Sequence, residues 1–154
     1  MVKARERGVQ LHFPVDFTLG DKFAADAKVA YSTKEEGIPD GWMALDVGAK
    51  TRAQDAKVIW RAKAIVMNGP VGVFEFPAFS LGTASAISAM AAATALGGAL
   101  SIIGGGDSAA AARKFNLDSE VTHVSTGGGA SLELLEGKVL PGIANLTSKP
   151  SAKL

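Results

Sequence analysis

Two segments of the chain share one layout, in which a short apolar strand leads into three consecutive glycines and then into a helix that carries a serine. They are residues 101–108 (SIIGGGDS) and residues 123–131 (HVSTGGGAS). Gly104 and Gly127, the first glycines of the two triplets, are 23 residues apart, which is the length of one helix and one strand. The spacing predicts neighbouring parallel strands whose glycine loops lie side by side, at the sheet edge where open α/β proteins bind ligands.

Apolar runs and helical patterns alternate along the rest of the chain, which predicts an α/β fold with a parallel sheet covered by helices on both faces. Residues 21–31 also have a spacing close to that of a helix. Strands are predicted at 9–13, 42–47, 64–67, 99–103 and 121–125. Helices are predicted from Thr51 to Arg61, from Thr83 to Leu96, from Asp107 or Ser108 to Phe115, and from Ala130 to Leu135, with Thr51 and Thr83 as N-caps.

The composition excludes several classes of protein. The chain has 16 basic and 15 acidic residues and a net charge of +1, which argues against a nucleic-acid binder held by bulk charge. It has no cysteine, so disulfide scaffolds and thiolate chemistry are excluded, and its two histidines leave little room for a histidine metal site. Residues 76–106 are uncharged but rich in alanine, glycine, serine and threonine, which predicts a buried helix, turn and strand and no membrane span.

The two glycine triplets suit an anion. Glycine lets the backbone approach a ligand closely, and the N–H groups at a helix N-terminus point toward a negative charge. Glycines at 104–106 and 127–129 therefore predict a polyphosphate site between the two loops. The alternative is that they only permit tight turns and close packing of helix on sheet.

Asp107 is the one acidic residue beside these glycines. It is either the N-cap of the following helix or a ligand for Mg²⁺, which binds proteins through one or two carboxylates together with phosphate oxygens. An anion site with a carboxylate next to it favours the second role, because a cation would separate the two negative charges.

A third loop, residues 68–75 (NGPVGVFE), follows the preceding predicted strand and aligns with the same sheet edge. Asn68 offers both a donor and an acceptor, Val73 and Phe74 offer apolar surface, and Glu75 could accept hydrogen bonds from ribose hydroxyls. The alternative is a turn followed by a capped helix.

Taken together, the three loops resemble the phosphoglycerate kinase family. Further segments resemble that family in the same order, namely 14–17 (PVDF), 38–42 (IPDGW) and 140–143 (LPGI), so the resemblance extends from Gly8 to Leu146. Two departures are Met67, where tryptophan is common, and Ala49, where proline is usual; neither side chain is an expected phosphate ligand.

The resemblance implies a Rossmann-like, three-layer αβα domain that binds ATP or ADP with Mg²⁺. The family transfers a phosphoryl group reversibly between ATP and 3-phosphoglycerate. By this resemblance Asp107 holds the metal, and the transferring group is stabilised at Gly106, Gly127, Gly128 and Gly129. The nucleotide is contacted by Asn68, Pro70, Gly72, Val73, Glu75, Gly104, Gly105, Gly106, Asp107 and Ser108.

The resemblance covers only the last third or so of the family's length. Residues 1–146 are expected to form part of a C-terminal nucleotide-binding domain, without the N-terminal domain that binds 3-phosphoglycerate and without the strand that carries the catalytic lysine. The full enzyme is expected to be a monomer, whereas this chain alone is expected to lack kinase activity and to fold poorly or associate. The alternative is a non-catalytic nucleotide-binding or assembly fragment that requires a complementary chain.

Residues 147–154 form a polar tail that ends in Ala152-Lys153-Leu154, which resembles a peroxisomal targeting signal. Some members of the family occur in glycosomes and carry such tails, so a microbody is the expected location and the cytosol is the alternative. A hydrolase built on Ser125 and His123 is a weaker interpretation, because the sequence has no G-x-S-x-G motif.

Overall fold

Two separate three-stranded sheets organise residues 1–146, the part of the chain that the computed structural model describes. Helices cover the parallel one of these sheets, and a short 3₁₀ turn at Pro77–Phe79 precedes the longest helix. In chain order the elements are α1 (Val2–Glu6), β1 (Asp16–Gly20), β2 (Val29–Thr33), β3 (Met43–Val47), α2 (Ala49–Arg61), β4 (Ala64–Asn68), α3 (Leu81–Gly97), β5 (Leu100–Gly104), α4 (Gly106–Lys114), β6 (His123–Ser125), α5 (Gly128–Leu135) and α6 (Pro141–Ala144).

The sheet β4-β5-β6 is parallel throughout, which confirms the predicted α/β class. In its register Asn68 lies opposite Gly104, and Gly104 lies opposite Ser125. The last residues of all three strands are therefore level, and the loops that follow them start at one edge. This is the arrangement that the 23-residue spacing of the glycine triplets predicts.

The core lies between this sheet and the helices α3 and α4, and its largest fully buried members include Ile87, Met90 and Ile103. Alanines on α4 bring that helix close to the sheet. Gly98, with φ of 63°, ends α3 in the left-handed conformation that glycine adopts without strain, as the sequence predicts. Within residues 1–146, no helix has both the length and the apolar content needed to cross a membrane.

The second sheet, β2-β1-β3, is antiparallel and was not predicted. Residues 21–31 do not form a helix: the Asp21 carboxylate accepts the Lys28 N–H at 2.8 Å, and this bond closes a turn that leads into β2. Side-chain bonds of this kind compete with helix formation. The strand predicted at 9–13 is also wrong; these residues have no regular structure, and β1 begins only after Pro14, which has no N–H to give to a ladder.

The predicted N-caps Thr51 and Thr83 lie inside their helices, so both predictions are wrong by two residues or more. The start of α2 is capped from β1 instead: the Asp16 carboxylate accepts the N–H groups of Lys50 at 2.9 Å and Thr51 at 2.8 Å. The buried Thr51 hydroxyl donates to the same carboxylate at 2.6 Å and accepts the Val15 N–H at 3.0 Å. A residue 35 positions away thus does what a local cap normally does.

Replacing Asp16 with asparagine should destabilise the protein by about 1–2 kcal/mol at neutral pH, because the amide has one acceptor oxygen for donors that now use both carboxylate oxygens. Burial by itself would raise the pKa of Asp16, but the hydrogen bonds from Thr51 and Lys50 outweigh it, and the pKa lies below its ordinary value. The carboxylate therefore stabilises the fold above the pKa of the unfolded chain, and this contribution is lost as the pH falls through the lower pKa of the folded protein. Urea unfolding of the wild type and of Asp16→Asn, at pH 7 and near pH 3, measures the difference in their free energies of unfolding.

We expect the difference in the free energy of unfolding between the wild type and Asp16→Asn to become smaller at the lower pH. Asp40→Asn, which changes an exposed carboxylate in a turn, is the matched control and should leave stability unchanged. An equal difference in the free energy of unfolding at both pH values would contradict this role of the Asp16 carboxylate.

Candidate functional site

Three loops meet at the carboxyl edge of the parallel sheet, and hydrogen bonds join each of them to another. The Gly105 N–H donates to the Ser125 carbonyl at 3.0 Å. The Asn68 side-chain amide donates to the Gly128 carbonyl at 3.2 Å. The Gly69 N–H donates to the Ser108 hydroxyl at 2.8 Å. The structure therefore brings together the three segments that the sequence singles out.

The two glycine loops touch each other backbone to backbone. Gly105 has φ of 95° and ψ of 149°, a conformation open essentially to glycine alone. A Cβ atom added at Gly128 would lie 2.9 Å from the Cα atom of Gly105, closer than side chains approach a backbone. Both glycines are thus needed for the close approach, which supports a structural role for these two and leaves the others for a ligand.

The N-termini of α4 and α5 meet at this contact. The first helical bond of α4 runs from the Ala109 N–H to the Gly105 carbonyl at 3.0 Å, and that of α5 runs from Ser131 to Gly127 at 3.1 Å. The N–H groups that precede Ala109 and Ser131 in the first turns have no acceptor within their helices. A Cβ added at Gly106 or Gly129 would meet nothing within 4 Å among residues 1–146, so the space beside these donors is open. Such an edge attracts anions.

Asp107 lies in the first turn of α4 with its side chain exposed. It is not the N-cap: the helix begins one residue earlier, Gly105 holds the cap position, and no side chain caps this helix. Within residues 1–146 the Asp107 carboxylate accepts no hydrogen bond and forms no ion pair, and no cluster of three potential metal ligands is present. A single unengaged carboxylate at an anion-binding edge can bind a cation only together with the anion.

Ser108 is fully buried, and its hydroxyl accepts the Gly69 N–H. The side chain therefore anchors the loop after β4 to α4, and only its backbone N–H remains available at the helix N-terminus. Gly104 also lies within β5, where a Cβ would meet only ordinary contacts, the closest at 3.6 Å from the Met67 carbonyl.

The loop after β4 is held at several points by distant residues that the sequence does not single out. The Val73 N–H donates to the Leu45 carbonyl of β3 at 2.9 Å. The Thr83 hydroxyl of α3 accepts two N–H groups of the same loop, those of Val71 and Gly72, both at 3.1 Å. The Lys114 ammonium of α4 donates to the carbonyls of Phe74 and Glu75. Because these partners lie far away along the chain, no local motif indicates them.

Asp46 is a buried carboxylate beneath the same loop. It accepts the N–H groups of Val47 at 2.8 Å and Gly82 at 2.7 Å, so it fixes the start of α3. Burial raises the pKa of Asp46, although these donors and the Arg52 guanidinium oppose the shift. Gly72 has no room for a side chain because a Cβ there would overlap the Asp46 carboxylate.

The hydrolase interpretation gains no support from the geometry. The Ser125 hydroxyl accepts the Gly127 N–H at 3.1 Å, which engages it in the glycine loop. Among residues 1–146, no hydrogen bond links Ser125 to His123, whose side chain is exposed.

A parallel sheet with two glycine-preceded helix N-termini at its carboxyl edge defines an α/β protein of the kind that binds ligands at that edge. The sequence model of phosphoglycerate kinase matches residues 1–138, and the chain belongs to the phosphoglycerate kinase family. The resemblance inferred from the sequence is thereby confirmed at the level of the family.

Individual relatives agree with this assignment. The phosphoglycerate kinase of Drosophila melanogaster is 62% identical over 146 residues, which are 95% of this chain and 35% of the relative. That of Schizosaccharomyces pombe is 54% identical, over 97% of this chain and 36% of the relative. The solved phosphoglycerate kinase from Coxiella burnetii superposes with a TM-score of 0.81 and 45% identity, over 90% of this chain and 35% of that one. The chain thus spans about a third of the length of the relatives it matches.

Proposed function

We propose that this chain supplies the ATP/ADP site of a glycolytic phosphoglycerate kinase, as part of the C-terminal nucleotide-binding domain of that enzyme. The reaction is the reversible transfer of a phosphoryl group between ATP and 3-phosphoglycerate, which gives ADP and 1,3-bisphosphoglycerate. One observation carries the proposal: the N-termini of α4 and α5 meet through Gly105 and Gly128, and Asn68 of the third loop bonds to the same contact.

Backbone donors at this edge suit the phosphate chain. Phosphoryl transfer needs positioning and charge stabilisation more than covalent chemistry from the protein. The N–H groups of Gly106 and Gly129 have no acceptor within residues 1–146 and lie beside open space, where a transferring group would lie. The Gly127 N–H donates to the Ser125 hydroxyl, so it would reach the transferring group only by exchanging that bond. Gly128 holds the two loops together. These groups bind and orient the phosphates without any change in their own protonation.

The residues present also fit Mg²⁺. The Asp107 carboxylate is exposed and unengaged within residues 1–146, and it lies in the first turn of the helix whose N-terminus suits an anion. Mg²⁺ typically binds one or two carboxylates, substrate phosphates and water. When bound, the ion would neutralise charge on the phosphates, and Asp107 would hold it.

The loop after β4 suits the nucleoside. Pro70, Gly72 and Val73 present partly exposed apolar and backbone surface, and the Glu75 carboxylate is exposed, as an acceptor for ribose hydroxyls must be. Asn68, Gly104 and Gly105 lie where this loop meets the glycine edge. The nucleotide would therefore extend from Glu75 to Asp107.

The second substrate, 3-phosphoglycerate, would bind to a part of the enzyme that this chain does not match. We expect the purified chain to bind ADP but to give no turnover of ATP with 3-phosphoglycerate. Turnover should appear when the portion of the Drosophila melanogaster enzyme outside the matched region is added. Size-exclusion chromatography measures whether the chain alone associates and whether the assembled enzyme is monomeric.

The outcomes separate the candidate functions. Turnover by the pure chain alone would show that no complementary portion is needed. ADP binding without turnover in the mixture would favour the alternative of a non-catalytic nucleotide-binding or assembly fragment. Absence of ADP binding both by the chain alone and by the mixture with the complementary portion would overturn the proposal itself.

Mg²⁺ dependence tests the role of Asp107. In the wild-type chain Mg²⁺ should strengthen ADP binding, and Asp107→Asn should reduce this enhancement about tenfold, the size of one charge-assisted contact of about 1.4 kcal/mol. Isothermal titration with and without Mg²⁺ measures it. Asp118→Asn, an exposed carboxylate beyond the end of α4, is the matched control. An undiminished enhancement in Asp107→Asn would place the metal elsewhere.

We also propose a microbody location, from the final tripeptide Ala152-Lys153-Leu154. This tripeptide lies outside the described residues, so the proposal rests on its sequence alone. A fluorescent fusion that ends in residues 147–154 should enter microbodies, and removal of the last three residues should leave it in the cytosol. Uniform cytosolic fluorescence of the intact fusion would favour the alternative.

A further inference from the structure

Lys114, the last residue of α4, reaches across to the loop after β4. Its ammonium group donates to the Phe74 carbonyl at 2.8 Å and to the Glu75 carbonyl at 3.0 Å. The same group lies 5.9 Å from the centroid of the Phe74 ring, within the range of a cation–π contact. Three interactions from one side chain thus converge on two successive residues of the loop.

The contact is specific to Lys114 and is not a general effect of charge at the end of the helix. Arg113 precedes it, carries the same charge and is exposed, yet its side chain makes no hydrogen bond or ion pair among residues 1–146. Lys114 itself has no acidic partner within 4 Å in the same part of the chain, so its ammonium is directed to backbone carbonyls alone. Holding a lysine in one conformation costs conformational entropy, which the two charge-assisted bonds offset.

The opposite end of α4 carries the glycine edge. The helix runs from Gly106 to Lys114, nine residues and about 13.5 Å at 1.5 Å per residue. Its first turn contains Asp107 and the free N–H groups. Its last residue, Lys114, donates hydrogen bonds to the carbonyls of Phe74 and Glu75. One rigid element therefore connects the two regions that a nucleotide would occupy.

We propose that Lys114 is a positioning residue for the nucleotide, which fixes the nucleoside loop at a set distance from the phosphate-binding end of α4. The inference rests on the proposed ADP site. Leu45 holds the loop at the Val73 N–H, and Thr83 holds it at residues 71 and 72. Within residues 1–146, the hydrogen bonds that reach the carbonyls of Phe74 and Glu75 from another element come from Lys114. Lys114 acts through the loop and does not itself touch the phosphates.

The test compares two ligands that share phosphates but differ in the nucleoside. Lys114→Met should weaken ADP binding by the chain about tenfold, the effect of one lost charge-assisted hydrogen bond. Binding of inorganic tripolyphosphate should change less than about twofold, because Lys114 lies at the opposite end of α4 from the glycine edge and salt screens its charge over that length. Lys114→Arg, which keeps the charge and the donors, should restore most of the ADP affinity. Arg113→Met is the matched control and should bind both ligands as the wild type does.

Hydrogen exchange provides a readout without ligand. The Phe76 N–H donates to the Val73 carbonyl at 3.1 Å, and its exchange should become faster in Lys114→Met but not in Arg113→Met. If the wild type binds neither ligand, the proposed ADP site fails, and the exchange experiment still decides whether Lys114 orders the loop.

Other outcomes would overturn the inference. Equal losses for ADP and tripolyphosphate in Lys114→Met would show a general effect on the site, and unchanged ADP binding would show that the lysine positions nothing. If Lys114→Met fails to fold, Lys114→Gln takes its place in the same comparison. Failure of both to fold would assign Lys114 to general stability and overturn a role specific to the nucleotide.

Discussion

Replacement of Gly128 with alanine is expected to weaken ADP binding about 10- to 100-fold, because overpacking of this kind costs about 1–3 kcal/mol and each 1.4 kcal/mol is a factor of ten. The new Cβ atom would lie 2.9 Å from the Cα atom of Gly105, and backbone cannot move aside as a flexible side chain can. The two loops must separate, which breaks the bond from Asn68 to the Gly128 carbonyl. Isothermal titration with ADP measures the loss.

Valine at the same position should have a larger effect than alanine, because its branched side chain extends the overlap. Gly97→Ala is the control: it makes the same chemical change at the end of α3, where an added Cβ meets nothing within 4 Å among residues 1–146. That variant should bind ADP as the wild type does. Wild-type affinity in Gly128→Ala would mean that the contact between the loops does not shape the site.

Removal of the Phe79 side chain is expected to cost about 3–5 kcal/mol of stability, the range for truncation of a buried phenylalanine to alanine. Phe79 has no exposed surface and lies in the 3₁₀ turn before α3. Its ring tip fills the space beside Gly20 of β1, where an added Cβ would lie 3.0 Å from the ring. The residue thus joins the antiparallel sheet to the start of α3. Urea unfolding of dilute, monodisperse protein measures the change in free energy.

Two further variants define the cause of that loss. Phe79→Leu leaves a smaller cavity and should lose roughly half as much stability as Phe79→Ala. Phe13→Ala removes the same ring from an exposed position before β1 and should lose less than about 1 kcal/mol. A small effect for Phe79→Ala would indicate that the antiparallel sheet and the start of α3 are joined mainly by other contacts.

The parallel sheet and its loops could be predicted because they depend on local pattern. An apolar run such as 99–103 specifies a buried strand from its own residues, and glycine triplets after two such strands indicate equivalent loops. The spacing of one helix and one strand indicates that β5 and β6 are neighbours, although the observed register places Gly104 opposite Ser125 and not opposite Gly127, the equivalent glycine. This part of the fold needs no knowledge of distant contacts.

Helix starts and the antiparallel sheet could not be predicted because their determinants are distant or compete. Thr51 has the residue type of an N-cap, but Asp16 caps the helix from another strand and leaves Thr51 two residues inside. Asp21 closes a turn within a segment whose apolar spacing suits a helix. In both cases more than one hydrogen-bond partner is available to a side chain, and the tertiary structure determines which bond forms.

The candidate site divides in the same way. Asn68, Asp107 and the glycines are contiguous with their strands, so their residue types alone indicate a role. Leu45 and Lys114 act on the loop after β4 from other elements, and neither has an unusual sequence context. Residues that hydrogen-bond to a binding loop from other elements are determined by tertiary packing, which a single sequence does not show.

The meeting of the N-termini of α4 and α5 has a consequence for how this protein behaves in solution. Each terminus carries about half a positive charge, and the two face each other across Gly105 and Gly128. Under the proposed function small anions would bind there, and only to the folded chain, so a phosphate buffer at 100 times its dissociation constant would raise the free energy of unfolding by about 2.7 kcal/mol. The melting temperature would then depend on the anion concentration as well as on the sequence. The melting temperatures of variants would be comparable only at one fixed anion concentration.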